Sequence, residues 1–318
     1  MPVVICKTVC LFLFSSLSAQ VNLSAQGATL SNSNFQTAVD LWFSDQASAI
    51  STYGHIKDWN VTGVTDMQAA FKEKTTFDEN ISGWDVSNVT NMSNMFYGAA
   101  AFNQPVGNWN VSSVTNMVSM FKGSPFNQPI GDWNVSSVTN MSYMFYETPF
   151  NQPIGDWDVS SVTNMNYMFR GTPFNQPIGD WSTSKVTNMS GMFQRAESFN
   201  QPIGDWNVSA VTLMWNMFLG TSFNQAIGSW NTSSVTNMIN MFKDTPFNQP
   251  IGDWNVSSVA TMENMFAETD SLSIANRKKI HAAFSANPNW IYEWSTFYRP
   301  LSQLLSAQTG SDLNYTFN

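Results

Sequence analysis

The chain is poor in charge. Asp, Glu, Lys and Arg make up 11% of its 318 residues, with 22 acids against 13 bases and a formal net charge of -9. A nucleic-acid binder needs a basic stripe, so this balance excludes that class and favours basic partners or divalent cations. Cysteine is limited to Cys6 and Cys10, which leaves everything after them without a thiol ligand or a disulfide. The only histidines are His55 and His281, near opposite ends, where they cannot form a dyad or a metal pair. No apolar run reaches the roughly 20 residues that span a bilayer. H-E-x-x-H, P-loop and G-x-S-x-G sequences are missing too, and a catalytic cluster would have to break the repeat described next, so no enzyme is expected.

What the chain does have is repetition. Tryptophan recurs at 59, 84, 109, 133, 157, 181, 206, 230 and 254, in steps of 25, 25, 24, 24, 24, 25, 24 and 24, with the flanking motif in register each time. The extra residue of the longer units falls between Phe96 and Phe102 and at equivalent turns, where a surface loop tolerates insertion. One unit cannot bury its own apolar face, so units must stack.

Within a unit, Ile130-x-x-Trp133-x-Val135 has the spacing of a leucine-rich-repeat strand, which would turn Trp133 and Val135 inward and Asp132 and Asn134 outward. Met141, Met144 and Phe145 then fall at i, i+3 and i+4, the spacing of one face of a short helix capped by Thr139 or Asn140. The paired methionines could form a soft-metal chain, but beside Phe at this spacing they read as core filler. The architecture expected is an α/β repeat solenoid, a leucine-rich-repeat-like coil of short parallel strands and short helices with helical caps.

The segments outside the period complete the plan. Residues 1–20, with the apolar stretch Val9 to Phe14 and the small residues Ser15, Ser16, Ser18 and Ala19, read as a secretory signal. Residues 31–58 read as an N-terminal cap whose helix carries Phe35, Ala38, Val39, Trp42 and Phe43, with Asn34 or Ser33 as its cap. The array occupies 59–270. A C-terminal cap follows over 271–296, its helix starting at Ser271 or Ser273 and turning Ile280 and Phe284 inward, and residues 297–318 form a polar tail.

The unit Trp-Asn-Val-Ser-Ser-Val-Thr-Asn-Met-Ser-x-Met-Phe with Phe-Asn-Gln-Pro-Ile-Gly-Asp resembles the BspA-type leucine-rich-repeat surface proteins, in the branch of the mycoplasma DUF285 repeat, over about Phe35 to Phe297. That resemblance implies a secreted or cell-surface protein, non-enzymatic and adhesive, with an extracellular or cell-surface protein or glycan as partner. No binding residue of the family carries over one to one.

The candidate binding face comes from the residues beside each Trp. Asp132, Asp156, Asp180, Asp205 and Asp253 precede it, and Asn134, Asp158, Asn207 and Asn255 follow it. Turned outward, they would form two polar columns able to bind a protein, a glycan or Ca2+ through oxygen ligands. The other reading is that they satisfy turns and form side-chain amide ladders. Asn in many copies also begins an N-x-S/T sequon, although stacked coils are too close for a glycan on each. A second functional class, recognition of an ordered lattice such as ice or a mineral, is suggested by the regular Thr90, Thr115, Thr139, Thr163, Thr187, Thr212 and Thr236. The protein is expected to act as a monomer.

Overall fold

The computed structural model describes residues 29–294, so the expected signal, both cysteines and the polar tail lie outside the described residues. Each Trp-centred unit makes one coil, and consecutive coils are joined along the segment that follows the recurring Thr. Asn140 forms single parallel bridges with Asn116 and Asn164, and the same position bridges each successive pair of coils from Asp66 to Thr261. Around that bridge, Met141, Tyr143, Phe145 and Glu147 donate their N–H groups to the carbonyls of Asn164, Asn166, Met168 and Arg170 in the next coil, at 2.8 to 3.0 Å. In the same segment the carbonyls of Asn140, Ser142, Met144 and Tyr146 accept from the preceding coil. Alternate peptide groups therefore point the same way along the stack. Each such bond contributes about 1 kcal/mol net.

The expected α/β solenoid is not what forms. Among the described residues there is no β-strand, and the helices are α1 (Phe35–Ser44), α2 (Gln46–Tyr53) and α3 (Ile274–Phe284), with one 3-10 turn at Ile56–Asp58, all outside the repeats. The segment expected as a strand turns instead. Trp133 donates its N–H to Ile130 at 3.2 Å and Val138 to Val135 at 2.9 Å, so this stretch has no backbone ladder to offer a neighbouring coil. Its side chains still alternate, with Trp133 and Val135 buried and Asp132 and Asn134 exposed.

The segment expected as a helix is a run of turns. Met144, Tyr146 and Thr148 bond back to Met141, Tyr143 and Phe145, each i to i+3, while the residues between them bond to the next coil. Tyr143 at φ 59° and Glu147 at φ 53° are left-handed, a conformation that breaks a right-handed helix for an L residue. The equivalent pair recurs in every unit, for example Asn94 with Gly98 and Asn216 with Gly220. Met141, Met144 and Phe145 are all buried, so these turns reproduce the inward spacing of a helix without being one.

The core is a set of columns. In each of the first eight coils two phenylalanines stack, such as Phe145 on Phe150 with ring centres 3.9 Å apart, and Leu272 follows Phe266 in the ninth. The first of each pair stacks on its counterpart in the next coil, as Phe145 does on Phe169 at 5.7 Å. The nine repeating Trp side chains are 3 to 4% exposed, and each buried indole still finds a polar partner. Trp133, Trp157 and Trp181 donate Nε1–H to the carbonyls of Val106, Ile130 and Ile154 in the preceding coil, at 3.0 to 3.1 Å. Asn127 and Asn151 add side-chain rungs, their Oδ1 atoms accepting the N–H of Asn151 and Asn175 at 3.0 Å. Glycine before the Asp-Trp pair is set by how closely coils approach: a Cβ on Gly155 would stand 2.8 Å from the carbonyl oxygen of Pro177.

The ends are closed by imitation of a coil. Leu30 donates to Asn60, and the Asn32 Oδ1 accepts from the N–H groups of Thr65 and Asp66, replacing a preceding unit. Helix α1 buries Phe35, Ala38, Val39 and Trp42. Asn34 stands at its N-cap, but its Oδ1 accepts from Ser31 rather than from the helix. Helix α2, which the sequence did not suggest, is capped by the Asp45 side chain. At the far end Ser273 caps α3, whose Ile280 and Phe284 are buried. There the Tyr292 hydroxyl accepts the N–H of Phe266 at 2.7 Å, where another coil would have supplied a carbonyl. Trp290, Tyr292 and Trp294 pack against the Phe266 ring.

Candidate functional site

The two polar columns beside the tryptophans have different chemistry. After each Trp the side chain is used locally. Asn134 Oδ1 accepts from the N–H and hydroxyl of Ser136 at 3.2 and 2.7 Å, Asn207 does the same with Ser209, and Asn255 accepts from the N–H of Ser257. Asp158 accepts from the N–H of Ser160 at 3.0 Å, and Asp85 from that of Ser87. The hydroxyl and N–H of the partner serine hold both carboxyls below the ordinary aspartate range. These are turns closed by a side-chain oxygen.

Before Trp109 and Trp230 the side chain reaches an acceptor. Asn108 donates to the carbonyl of Ser82 in the preceding coil at 3.1 Å, and Ser229 donates to that of Gly204 at 3.1 Å. A carboxylate has no proton to give there. Asp132, Asp156, Asp180, Asp205 and Asp253 are exposed, and none of them accepts a hydrogen bond or forms an ion pair with a described residue. Four of them stand in consecutive coils. Among the described residues, however, no group of three or more His, Cys, Asp or Glu comes together to hold a metal ion.

The remaining candidates are occupied structurally. The hydroxyls from Thr90 to Thr236 in the threonine column donate to the carbonyl of the preceding coil's threonine at 3.1 to 3.2 Å, a coil-to-coil tie rather than the helix cap the sequence suggested. His55 Nδ1 accepts from the N–H of Lys57 at 3.4 Å, and His281 Nδ1 accepts from the indole N–H of Trp290 at 3.1 Å. The paired methionines of the coils lie in the core.

A second surface was missed in the sequence. Thirteen residues after each of the first five repeat tryptophans, cations and tyrosines alternate coil by coil, Lys72, Tyr97, Lys122, Tyr146 and Arg170, whereas the later coils carry Gln194, Leu219, Lys243 and Ala267 there. Lys122 Nζ lies 5.1 Å from the ring centres of Tyr97 and Tyr143 and 4.5 Å from that of Tyr146, while the Arg170 guanidinium covers Tyr146 at 4.5 Å. Tyr143 stacks on Tyr167 at 5.0 Å, and Tyr167 meets Trp215 edge-on at 5.4 Å. Tyr167 reaches Trp215 because Gly191 stands between their coils: a Cβ there would come within 2.4 Å of its ring. Burial raises the Tyr146 and Tyr167 hydroxyls above the ordinary tyrosine value. The signal was available as a departure from the repeat, since the Trp, Met and Phe positions hardly vary and these do.

Among the described residues no helix is long and apolar enough to cross a membrane. No curated protein and no solved structure matches the chain. A family model described as "Mycoplasma protein of unknown function, DUF285" matches it in three overlapping segments, 37–149, 123–222 and 205–289. These segments cover the nine coils and reach into both caps, and the chain therefore belongs to the DUF285 repeat family.

Proposed function

We propose that this chain is a non-enzymatic recognition protein, secreted or held at a cell surface, that adheres to an extracellular partner protein through the column of Asp132, Asp156, Asp180 and Asp205. One observation carries the reading. At this position Asn108 and Ser229 tie two coils together, whereas aspartate forgoes that bond and leaves a free charge at the surface. Folding alone favours Asn over Asp there, so the carboxylates are explained by something outside the chain. Four charges at coil spacing, which the neighbouring Trp181 and Trp206 rings set at 6.2 Å, suit a basic face on a protein and act on both its approach and its register. The placement outside the cell rests on the signal-like residues 9–19 and on the repeat's resemblance to BspA-type surface proteins.

The test is the triple variant Asp132→Asn, Asp156→Asn, Asp180→Asn, compared with wild type in a binding screen against extracellular-matrix proteins and producer-cell surfaces, with and without Ca2+. We expect a saturable partner for the wild type, loss of binding in the variant, and thermal stability equal to or above wild type. A variant that binds as well as wild type would show the column to be bystander charge. The lattice reading has no remaining support, because the threonine hydroxyls that suggested it are used between coils.

A further inference from the structure

We propose that the strip running from Lys72 through Tyr143 to Trp215 is a second binding site, for a linear glycan that carries a carboxylate on alternate sugars. It does not depend on the aspartate column. The protein has 13 bases in all, yet four of them, Lys72, Lys122, Arg170 and Lys243, fall in one column, the first three at every second coil. Their spacing is therefore two coils, roughly 10 Å. Lys72 and Lys122 form no ion pair with a described residue and are held only against tyrosine rings. Arg170 is paired, at 2.6 Å, with Glu147.

Between the cations stand flat aromatic surfaces, half-buried and fixed by one another. An apolar ring face takes the C–H face of a pyranose, and a cation alongside takes its carboxylate. One pyranose is about as long as one coil is thick, so a chain with an acid on every second sugar matches the alternation of cation and ring. A peptide of acidic residues has the charge without the flat C–H faces, and a neutral glycan has the faces without the charge.

The test is calorimetric titration of the full chain with a hyaluronan decasaccharide, which bears its acids on alternate sugars. A chitin oligosaccharide of equal length and poly-glutamate serve as the uncharged and charge-only probes. We expect saturable binding of hyaluronan alone, weakened about tenfold or more by Lys122→Gln, a surface change with no core contact to lose. Glu147→Gln, which releases Arg170, should tighten it, and Tyr143→Ala should weaken it. Asp156→Asn should leave it unchanged, which separates this site from the aspartate column. The proposal fails if hyaluronan does not saturate the wild type, if either control probe binds equally well, or if Lys122→Gln has no effect.

Discussion

The indole nitrogen of Trp157 donates to the carbonyl oxygen of Ile130, 3.1 Å away in the preceding coil, so one side chain supplies both apolar burial and a tie between units. The two contributions can be separated. Trp157→Phe keeps most of the ring and leaves Ile130 without its donor, at a cost of about 1 to 3 kcal/mol. Trp157→Ala also opens a cavity, at about 3 to 5 kcal/mol. Urea denaturation of the two variants should show that order; equal losses would mean that the added cavity costs nothing, and a Phe variant as stable as wild type would mean that the hydrogen bond contributes nothing.

Glycine at the coil contact should be tested against a glycine with open space. Gly155→Ala places a Cβ 2.8 Å from the carbonyl oxygen of Pro177, whereas Gly83→Ala meets nothing within 4 Å. The first should destabilise by about 1 to 3 kcal/mol, and the second should leave the melting temperature within a degree or two of wild type. A large loss at Gly83 would point to a backbone cause instead.

Backbone handedness can be read alone at Gly123, which has φ +67° and no atom within 4 Å of the point a Cβ would occupy. Gly123→Ala should cost about 1 to 2 kcal/mol through left-handed strain. Gly123→Asn should cost less, because asparagine tolerates that region. If both melt as wild type does, these turns are not held left-handed in solution.

Acid should act through Asp85 and Asp158. Their carboxyls are held below the ordinary value by the neighbouring Ser87 and Ser160. A depressed folded-state value gives stability that is fully present above the unfolded-state value and is lost as pH falls through the folded-state one. The loss therefore belongs below about pH 4. Both groups are almost fully exposed, so the effect is small and screened. The double variant Asp85→Asn, Asp158→Asn should match wild type at pH 7, since Asn134 makes the same turn, and should lose less stability between pH 4 and pH 2. Melting temperature against pH decides, and parallel profiles would remove these two groups from the account of acid stability.

The period, the buried faces and the positions of α1 and α3 were legible because burial follows side-chain spacing, and spacing is written in the sequence. Backbone conformation was not. Val135 beside Trp133 alternates in a turn as it would in a strand, and Met141, Met144 and Phe145 point inward from i+3 turns as they would from a helix. The clue that separates these cases is Asn or Gly ten residues after Trp, as at Asn94 and Gly191, and Gly fourteen after it, as at Gly98 and Gly171. Two left-handed residues four apart exclude a helix between them. At the candidate face, sequence placed the aspartates outward but could not distinguish the column used by turns from the free one, which needs the carbonyl of Ser82 opposite Asn108. The tyrosine and lysine strip stayed hidden because it lies where the units differ, whereas the period is carried by the residues that repeat.

The ladder peptides of Met141, Tyr143 and Phe145 donate to the next coil while the Thr139 N–H and the Trp157 indole donate to the preceding one, so the two sides of a coil are unlike and units stack in one orientation only. A whole unit copied into the gene, or lost from it, leaves each remaining junction and both caps as they were. Stack length is thus an inherited variable that can change without redesign, and with it the number of charges or rings presented in a row. Under the proposed recognition role, counting units would set the reach of such a protein, and single substitutions at the few free columns would set its choice of partner.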